Sequence, residues 1–175
     1  MTSTPPPALI VVSGPPGAGK TTLAHAIARG IGCPALCRDE IREGITHAGT
    51  PDPDMRRTND TFFGAVEFLL RAGVTVVAEA AFQDRLWRPG LAPLAGLAAI
   101  RVVRCVLDPA IALDRIAHRL AEQPTRAAHG DRAQLNNPGR LATWVPIDLP
   151  LPTLIVDTSA GYSPGLAEIV SFATG

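Results

Sequence analysis

A run of glycines, a lysine and two threonines near the start of the chain has the residue types and spacing to bind a polyphosphate. The run is Gly14, Pro15, Pro16, Gly17, Ala18, Gly19, Lys20, Thr21 and Thr22, and it fills the fixed positions of the Walker A pattern G-x-x-x-x-G-K-[ST]. Its glycines let successive backbone N–H groups point at phosphate oxygens, because no side chain blocks the necessary conformations. Lys20 can bind the β- and γ-phosphates, and the Thr21 hydroxyl can bind a Mg²⁺ ion that bridges them. The pattern therefore predicts a P-loop with ATP and Mg²⁺ as cofactors.

The residues on either side of this run predict the elements that must hold it. Residues 8–12 are apolar and precede the run, as a buried strand would. After the lysine an apolar stripe continues at helical spacing, at Leu23, Ala24, Ile27 and Ala28. A helix at about 19–29 would point its positive dipole end at the bound phosphate. Strand, loop and helix follow one another in the order that the motif requires.

Asp39 is the candidate for a group that activates a second substrate. It follows the short apolar segment 35–37, which looks like a second strand. The carboxyl ends of parallel strands are where α/β sheets place their ligands, so Asp39 is expected to face the γ-phosphate site. The residue could instead be a plain helix N-cap. Arg42 lies on the same helical face and could bind the substrate or only pair with Asp39.

Glu79 and the residues after it are the next candidates. The acid ends the β-rich run 74–78, where a Walker B element would hold Mg²⁺ through water. The alternative for Glu79 is a structural hydrogen bond. Residues 82–88 follow at once, and Phe82 and Arg85 among them are candidates for the lining of a substrate pocket. The alternative for that stretch is a capped helix with Trp87 packed inward.

A polar segment at about 121–140 is predicted to be a mobile lid. It has little apolar periodicity, and Asp108 with Pro109 starts a helix that leads into it. Closing a lid excludes water and strengthens arginine contacts to the transferring phosphoryl group. Arg119 and Arg126 are the candidates for those contacts. The alternative is an ordinary surface loop with solvated arginines.

Composition and charge narrow the class of protein. A chain of 175 residues that is 46% hydrophobic and 18% charged is expected to form one globular domain, residues 1–175. Basic and acidic residues number 16 each, so the net charge is zero and no global basic field would hold a nucleic acid. This balance disfavours a nucleic-acid partner and favours a small-molecule substrate.

The cysteines and histidines show no spacing of metal ligands. Cys33 and Cys37 are spaced neither as a zinc knuckle nor as a C-x-x-C redox pair, so the cysteines are interpreted as small buried residues in a reduced compartment. The four histidines are scattered and are interpreted as surface or lid residues. No apolar run is long enough to span a membrane, and the proline-rich start lacks a signal-peptide core. We therefore expect a cytoplasmic protein without a membrane partner.

Taken together, these segments resemble a known group, the small P-loop kinases related to polynucleotide kinase, chloramphenicol phosphotransferase and the zeta toxins. The resemblance rests on residues 14–22, 37–42 and 73–79, on Arg115 and Arg119, and on the ending 156–158. It implies that Asp39 takes the proton from the accepting hydroxyl. It also implies lid arginines at Arg119 and Arg126.

The resulting prediction is an α/β fold, a P-loop NTPase three-layer sandwich with a mostly parallel five-stranded sheet and a lid segment. The predicted activity is transfer of the γ-phosphate of ATP to a hydroxyl of a small molecule, with antibiotics as a candidate substrate class by analogy. One alternative is a kinase for a polynucleotide 5′-hydroxyl or a nucleoside or nucleotide. Another is a nucleotide-dependent switch without useful transfer.

Overall fold

A five-stranded sheet forms the centre of the part of the chain that the structure describes. A computed structural model describes residues 5–122, 131–137 and 139–175. The strands are β1 (Ala8–Ser13), β2 (Ala35–Cys37), β3 (Val76–Ala80), β4 (Ala99–Val106) and β5 (Thr153–Asp157). They lie in the order β2-β3-β1-β4-β5, and each neighbouring pair is parallel. The predicted five-stranded P-loop fold is confirmed.

Helices cover both faces of this sheet. They are α1 (Lys20–Ile31), α2 (Arg38–His47), α3 (Arg56–Arg71), α4 (Asp84–Leu91), α5 (Pro109–Glu122), α6 (Asp131–Asn136), α7 (Gly139–Ala142) and α8 (Leu166–Thr174). None of these described helices is both long enough and apolar enough to cross a membrane.

The central strand β1 is buried on both sides, which explains its continuous apolar sequence. Leu9 and Val11 face the cluster formed with α3 and α4, whereas Ile10 and Val12 face the cluster formed with α1 and α8. Successive side chains of a strand point to opposite faces, so both faces must be apolar where both are covered. The P-loop leaves this strand at its carboxyl end and thus at the centre of the sheet.

Four aromatic rings pack together beneath the segment that follows β3. Phe62 and Phe63 of α3 meet Phe82 and Trp87 with ring centroids 5.1 to 5.9 Å apart, mostly edge to face. Trp87 is fully buried and Phe82 is 6% exposed. Trp87 packs inward on α4, as the helix alternative for residues 82–88 expected, although no side-chain hydrogen bond caps the start of this helix.

One short helix, α6, lies in the segment where a polar lid was predicted, and a second, α7, overlaps its end. α6 and α7 pack on α5 through Leu135 and Leu141, which contact the cluster around Ala112 and Ile116. Leu135 is an apolar anchor that the polar composition of the predicted segment concealed, and Leu141 lies one residue beyond the predicted bounds. Arg126, a predicted contact to the phosphoryl group, lies outside the described residues.

Asp52 holds the first turn of α3. Its carboxylate accepts hydrogen bonds from the backbone N–H groups of Arg57 and Thr58, at 2.9 and 3.0 Å, and from the Thr58 hydroxyl. The first N–H groups of a helix lack partners within the helix, so such acceptors stabilise it. The hydroxyl hydrogen bond is the largest cause that lowers the pKa of Asp52 below its ordinary value.

Replacing Asp52 with asparagine should lower the stability of the protein at neutral pH. A depressed pKa in the folded state contributes stability that is present above the unfolded pKa and is lost as the pH falls through the folded pKa. The difference between wild type and Asp52→Asn should therefore shrink as the pH falls below about 4. Urea denaturation midpoints at neutral and acid pH measure this difference in stability. The control is Asp114→Asn, which makes the same change at an exposed position of α5. A difference that stays constant with pH would contradict this account.

Candidate active site

The phosphate loop is shaped by glycines that touch other backbone directly. At Gly14 a Cβ atom would lie 2.8 Å from the carbonyl oxygen of Cys105 in β4. At Gly17, where φ is +82°, a Cβ would lie 2.7 Å from the carbonyl oxygen of Ala112 in α5. Both approaches and the positive φ exclude a side chain. The loop therefore rests on β4 and α5, and α1 begins at its end with the N-terminal N–H groups that bind anions.

Lys20 and Thr21 open α1 and meet Glu79 of β3. Lys20 Nζ donates a hydrogen bond to the carbonyl of Pro15 at 3.0 Å and lies 3.9 Å from Glu79 Oε1. Thr21 Oγ1 donates to Glu79 Oε2 at 3.1 Å. The side chains of Lys20 and Glu79 are only 7% and 5% exposed, so their charges interact with little screening by water. Lys20 is the single lysine of the chain.

Glu79 is a buried carboxyl group under opposing influences. Burial is the largest cause and raises its pKa above the ordinary value, and the negative charge of Asp39 adds to the rise. The charge of Lys20 and the hydrogen bond from Thr21 lower the pKa and offset part of this. Glu79 and Asp39 therefore interact electrostatically although they lie on different elements.

Asp39 reaches this edge because β2 is the neighbour of β3. Cys37, the last residue of β2, pairs in register with Glu79, and α2 begins at the next residue. Asp39 thus lies in the first turn of α2, where the helix dipole favours a carboxylate. No side-chain capping bond forms at the start of α2, so the plain N-cap alternative is not what the structure shows.

Arg38 is a buried cation that holds Asp39, and the sequence did not mark it. Its Nη1 donates to Asp39 Oδ1 at 2.8 Å, and its Nε donates to Asn59 Oδ1 at 3.3 Å. Its Nη2 lies 2.9 Å from the sulfur of Met55, and its Cζ lies 5.7 Å from the centre of the Phe82 ring. Arg38 is 8% exposed. Contacts on several sides thus fix the guanidinium, which in turn orients the Asp39 carboxylate.

Met55, whose sulfur contacts Arg38, has an unusual backbone conformation. It is the one described residue other than glycine with a positive φ, at 59°. Such a conformation costs energy for a residue with a side chain and persists only where its surroundings impose it. Here it precedes α3 and brings the sulfur against Arg38. A charged residue at the end of an apolar strand was the only signal in the sequence that could have marked Arg38.

The other predicted substrate residues lie at varied distances from this centre. Phe82 belongs to the aromatic core and presents its ring to Arg38. Arg42 is half-buried on α2 and lines an open surface pocket with Thr46 and residues 49–53. Arg85 is exposed on α4. The structure brings Phe82 next to the Asp39 centre and leaves Arg85 on the surface.

The helix α5, which contacts the phosphate loop at Ala112, is also fixed to the segment after β5 by an arginine. Arg115 Nη2 donates to the carbonyl oxygens of Thr158 and Ser159, at 2.7 and 3.0 Å, just after β5. Arg119 lies one turn further along the same helix and is half-buried. The helix that supports the phosphate loop at Ala112 thus also carries Arg119.

Two buried polar side-chain atoms at the same edge of the sheet have no hydrogen-bond partner among the described residues. They are Ser13 Oγ of β1 and Arg104 Nε of β4, which pair in register. Strand alternation puts both on the face of the sheet that carries the Phe82 cluster. Buried polar atoms are rarely left unsatisfied, so ordered water or a polar ligand is expected to bind these two.

Comparisons with known proteins agree with this geometry. A model of the AAA domain family matches residues 9–138, which is most of the chain. A candidate kinase from Chloroflexus aurantiacus is 27% identical, with 97% of each chain covered and a TM-score of 0.77. A sugar kinase from Janibacter sp. HTCC2649 is 18% identical, with 95% of this chain and 94% of that chain covered and a TM-score of 0.68.

A third solved structure holds a nucleotide analogue. The APS kinase CysC from Mycobacterium tuberculosis, solved with AMPPNP and APS, is 19% identical, with 98% of this chain and 100% of that chain covered and a TM-score of 0.59. The last two identities are low, so these two proteins show a shared fold only. No curated protein matches the sequence.

Proposed function

The chain belongs to the AAA domain family, and from this premise we propose that it is a kinase that uses ATP and Mg²⁺ to phosphorylate a hydroxyl of a small molecule. One observation carries the proposal. Lys20 and Thr21 on the phosphate loop, Glu79 on β3 and the Arg38–Asp39 pair on α2 come together at the carboxyl edge of the sheet. This edge therefore combines an anion cradle with a carboxylate that can act on a second substrate.

The nucleotide would be bound by the loop of residues 14–22. Its backbone N–H groups and the start of α1 bind phosphate oxygens. Lys20 Nζ exchanges the Pro15 carbonyl and Glu79 for the β- and γ-phosphates, since both present contacts are weaker than a charged hydrogen bond to phosphate. Arg119 and Arg126 are proposed to neutralise charge on the transferring group.

Thr21 and Glu79 fit the needs of a Mg²⁺ ion. The hydroxyl oxygen and the carboxylate lie 3.1 Å apart, and oxygen donors of this kind are those that Mg²⁺ prefers. Mg²⁺ usually keeps several waters, so Glu79 would hold it directly or through water. When bound, the ion withdraws negative charge from the phosphates. Its positive charge would also favour the ionised form of the buried Glu79.

Asp39 would act on the acceptor. The acceptor oxygen forms a bond to the γ-phosphorus, the bond from that phosphorus to the bridging oxygen breaks, and ADP leaves with the electron pair. The proton of the acceptor hydroxyl moves to the Asp39 carboxylate. Arg38 holds this carboxylate in place, and most of the rate comes from positioning and electrostatics.

The acceptor is proposed to be small and polar. Net charge is zero, and Ser13 Oγ and Arg104 Nε are buried polar atoms without a described partner that a polar acceptor could contact. Arg42 is proposed to position the acceptor, with Phe82 and Arg85 as further parts of the pocket. Hydroxylated antibiotics are one class to test, and phosphorylation would inactivate them.

A screen of acceptors tests this function. Purified protein with ATP and Mg²⁺ is incubated with hydroxylated metabolites, sugars, antibiotics and a 5′-hydroxyl oligonucleotide, and products are read by mass. We expect one small molecule to gain a single phosphoryl group in parallel with ADP release. Phosphorylation of the oligonucleotide alone would contradict the small-molecule acceptor. Nucleotide binding without turnover, whatever the acceptor, would favour a switch instead.

A further inference from the structure

Three side chains of different elements converge beside the phosphate site. His25 lies on α1, Cys37 ends β2 and Glu40 lies in the first turn of α2. Their ligand atoms, one nitrogen, one sulfur and one oxygen, all lie within 4.8 Å of one another. We propose that this cluster binds a zinc-type divalent cation. The site adjoins the Thr21 and Glu79 oxygens, because the Cys37 thiol also interacts with the Glu79 carboxylate.

The distance between His25 and Cys37 suits tetrahedral coordination, whereas His25 and Glu40 lie closer together than two ligands of one ion. His25 Nε2 lies 3.7 Å from Cys37 Sγ and 2.8 Å from Glu40 Oε1. Ligands of a tetrahedral Zn²⁺ ion lie about 3.6 Å apart for sulfur and nitrogen, and about 3.4 Å apart for nitrogen and oxygen. The cluster therefore needs only a small opening between His25 and Glu40. Both of these side chains are partly exposed, at 39% and 45%, and can move.

The chemistry of the three donors selects the metal. Thiolate and imidazole are soft or borderline ligands that favour Zn²⁺ over Mg²⁺. Hard oxygen donors such as Thr21 and Glu79 favour Mg²⁺. As the bond from Cys37 Sγ to the metal forms, the thiol gives its proton to solvent, and Nε2 of His25 binds in the neutral ring. Water completes the coordination.

The layout also gives the ion a path of entry. Cys37 is 2% exposed and lies at the base of the cluster, whereas His25 and Glu40 stand at its mouth. An ion can reach the sulfur between these two side chains. The sequence spacing concealed the site, because His25 and Cys37 are 12 residues apart and meet only through the packing of α1 against β2.

A metal ion bound at His25, Cys37 and Glu40 would connect the two helices that carry the proposed catalytic groups. α1 begins with Lys20, and α2 carries Asp39 directly between Cys37 and Glu40. A metal bound to both helices would fix the first turn of α2 against α1. The inference does not depend on the proposed kinase activity, since binding is measured without substrate.

Cobalt binding tests the site. Full-length protein is stripped of metal, kept in excess Mg²⁺ and titrated with Co²⁺, whose bond to a thiolate gives a charge-transfer absorption band. We expect one equivalent to give the band and Zn²⁺ to displace it. Cys37→Ser should abolish the band, whereas His25→Ala and Glu40→Gln should weaken Zn²⁺ binding by more than about tenfold. Cys33→Ser and His47→Ala are the matched controls and should bind as the wild type does.

Thermal unfolding gives a second readout. At a hundredfold excess over Kd, Zn²⁺ should raise the Tm of the wild type by roughly 5–10 °C, and that of Glu40→Gln by clearly less. Glu40 is exposed, so this variant tests the site even if Cys37→Ser folds poorly. The proposal is overturned if the wild type gives no thiolate band, if the band survives in Cys37→Ser, or if Cys33→Ser loses it equally.

Discussion

Replacing Asp39 with asparagine is expected to lower kcat for phosphoryl transfer by about 10²- to 10⁴-fold, the range over which a general base contributes. Asparagine keeps the size of the side chain and an oxygen for the 2.8 Å hydrogen bond from Arg38, but it cannot take a proton. Binding of ATP should change little, because Asp39 lies on α2 and not on the phosphate loop. Steady-state kinetics with the acceptor found in the screen, together with a nucleotide-binding titration, measure both effects.

Asp60→Asn is the matched control for this variant. It makes the same change of carboxylate to amide on α3, where the Asp60 side chain is 73% exposed and lies 3.8 Å from Arg56. This variant should transfer phosphate at the wild-type rate. If Asp39→Asn did the same, Asp39 would not be the base, and the role of the Arg38–Asp39 pair would be structural.

Replacing Lys20 with methionine should lower kcat/KM by about 10²- to 10³-fold or more, the loss typical of one electrostatic contact to the reacting group. Methionine is similar in length and apolar, so it suits a site where the lysine side chain is 7% exposed. The variant should remain folded, because Glu79 can take up a proton when the neighbouring cation is gone. Circular dichroism and kinetics on the same preparation separate folding from activity.

The single lysine of the chain makes this prediction unusually specific to test. An ATP analogue with a reactive acyl phosphate should modify Lys20, and the only other amine is the chain terminus. Excess ATP should protect the site, and Lys20→Met should remove the modification. Arg29→Met, which removes an exposed cation at the far end of α1, is the control and should stay active. Labelling that ATP does not reduce would contradict the position assigned to Lys20.

The phosphate loop was predictable because its chemistry is local. Nine consecutive residues carry the glycines, the lysine and the threonine, and the apolar runs beside them fix a strand and a helix at either end. The strand β1 was predictable for a similar reason. A strand that is buried on both faces shows a continuous apolar run instead of alternating apolar and polar residues. Such features follow from neighbours in the sequence, and the structure agrees with them.

Arg38 was not predictable because its partners come from elsewhere. Asn59 lies 21 positions away, Met55 lies 17 positions away, and Phe82 belongs to another element. The packing of Leu135 on α6 and Leu141 on α7 was missed for a similar reason, because a mostly polar stretch contains single apolar residues that pack inward. Periodicity over a short helix is too weak to reveal them.

The contact between Gly17 and Ala112 has a consequence for how the pocket responds to change. Main chain meets main chain there, with no rotamer that could rotate aside to absorb a displacement. The position of α5 therefore determines the shape of the phosphate loop. Arg115 in turn fixes α5 through its hydrogen bonds to the segment after β5. Substitutions on the exposed face of α5 should therefore leave the affinity for a triphosphate unchanged. A shift of the axis of α5 by a few tenths of an ångström should change that affinity.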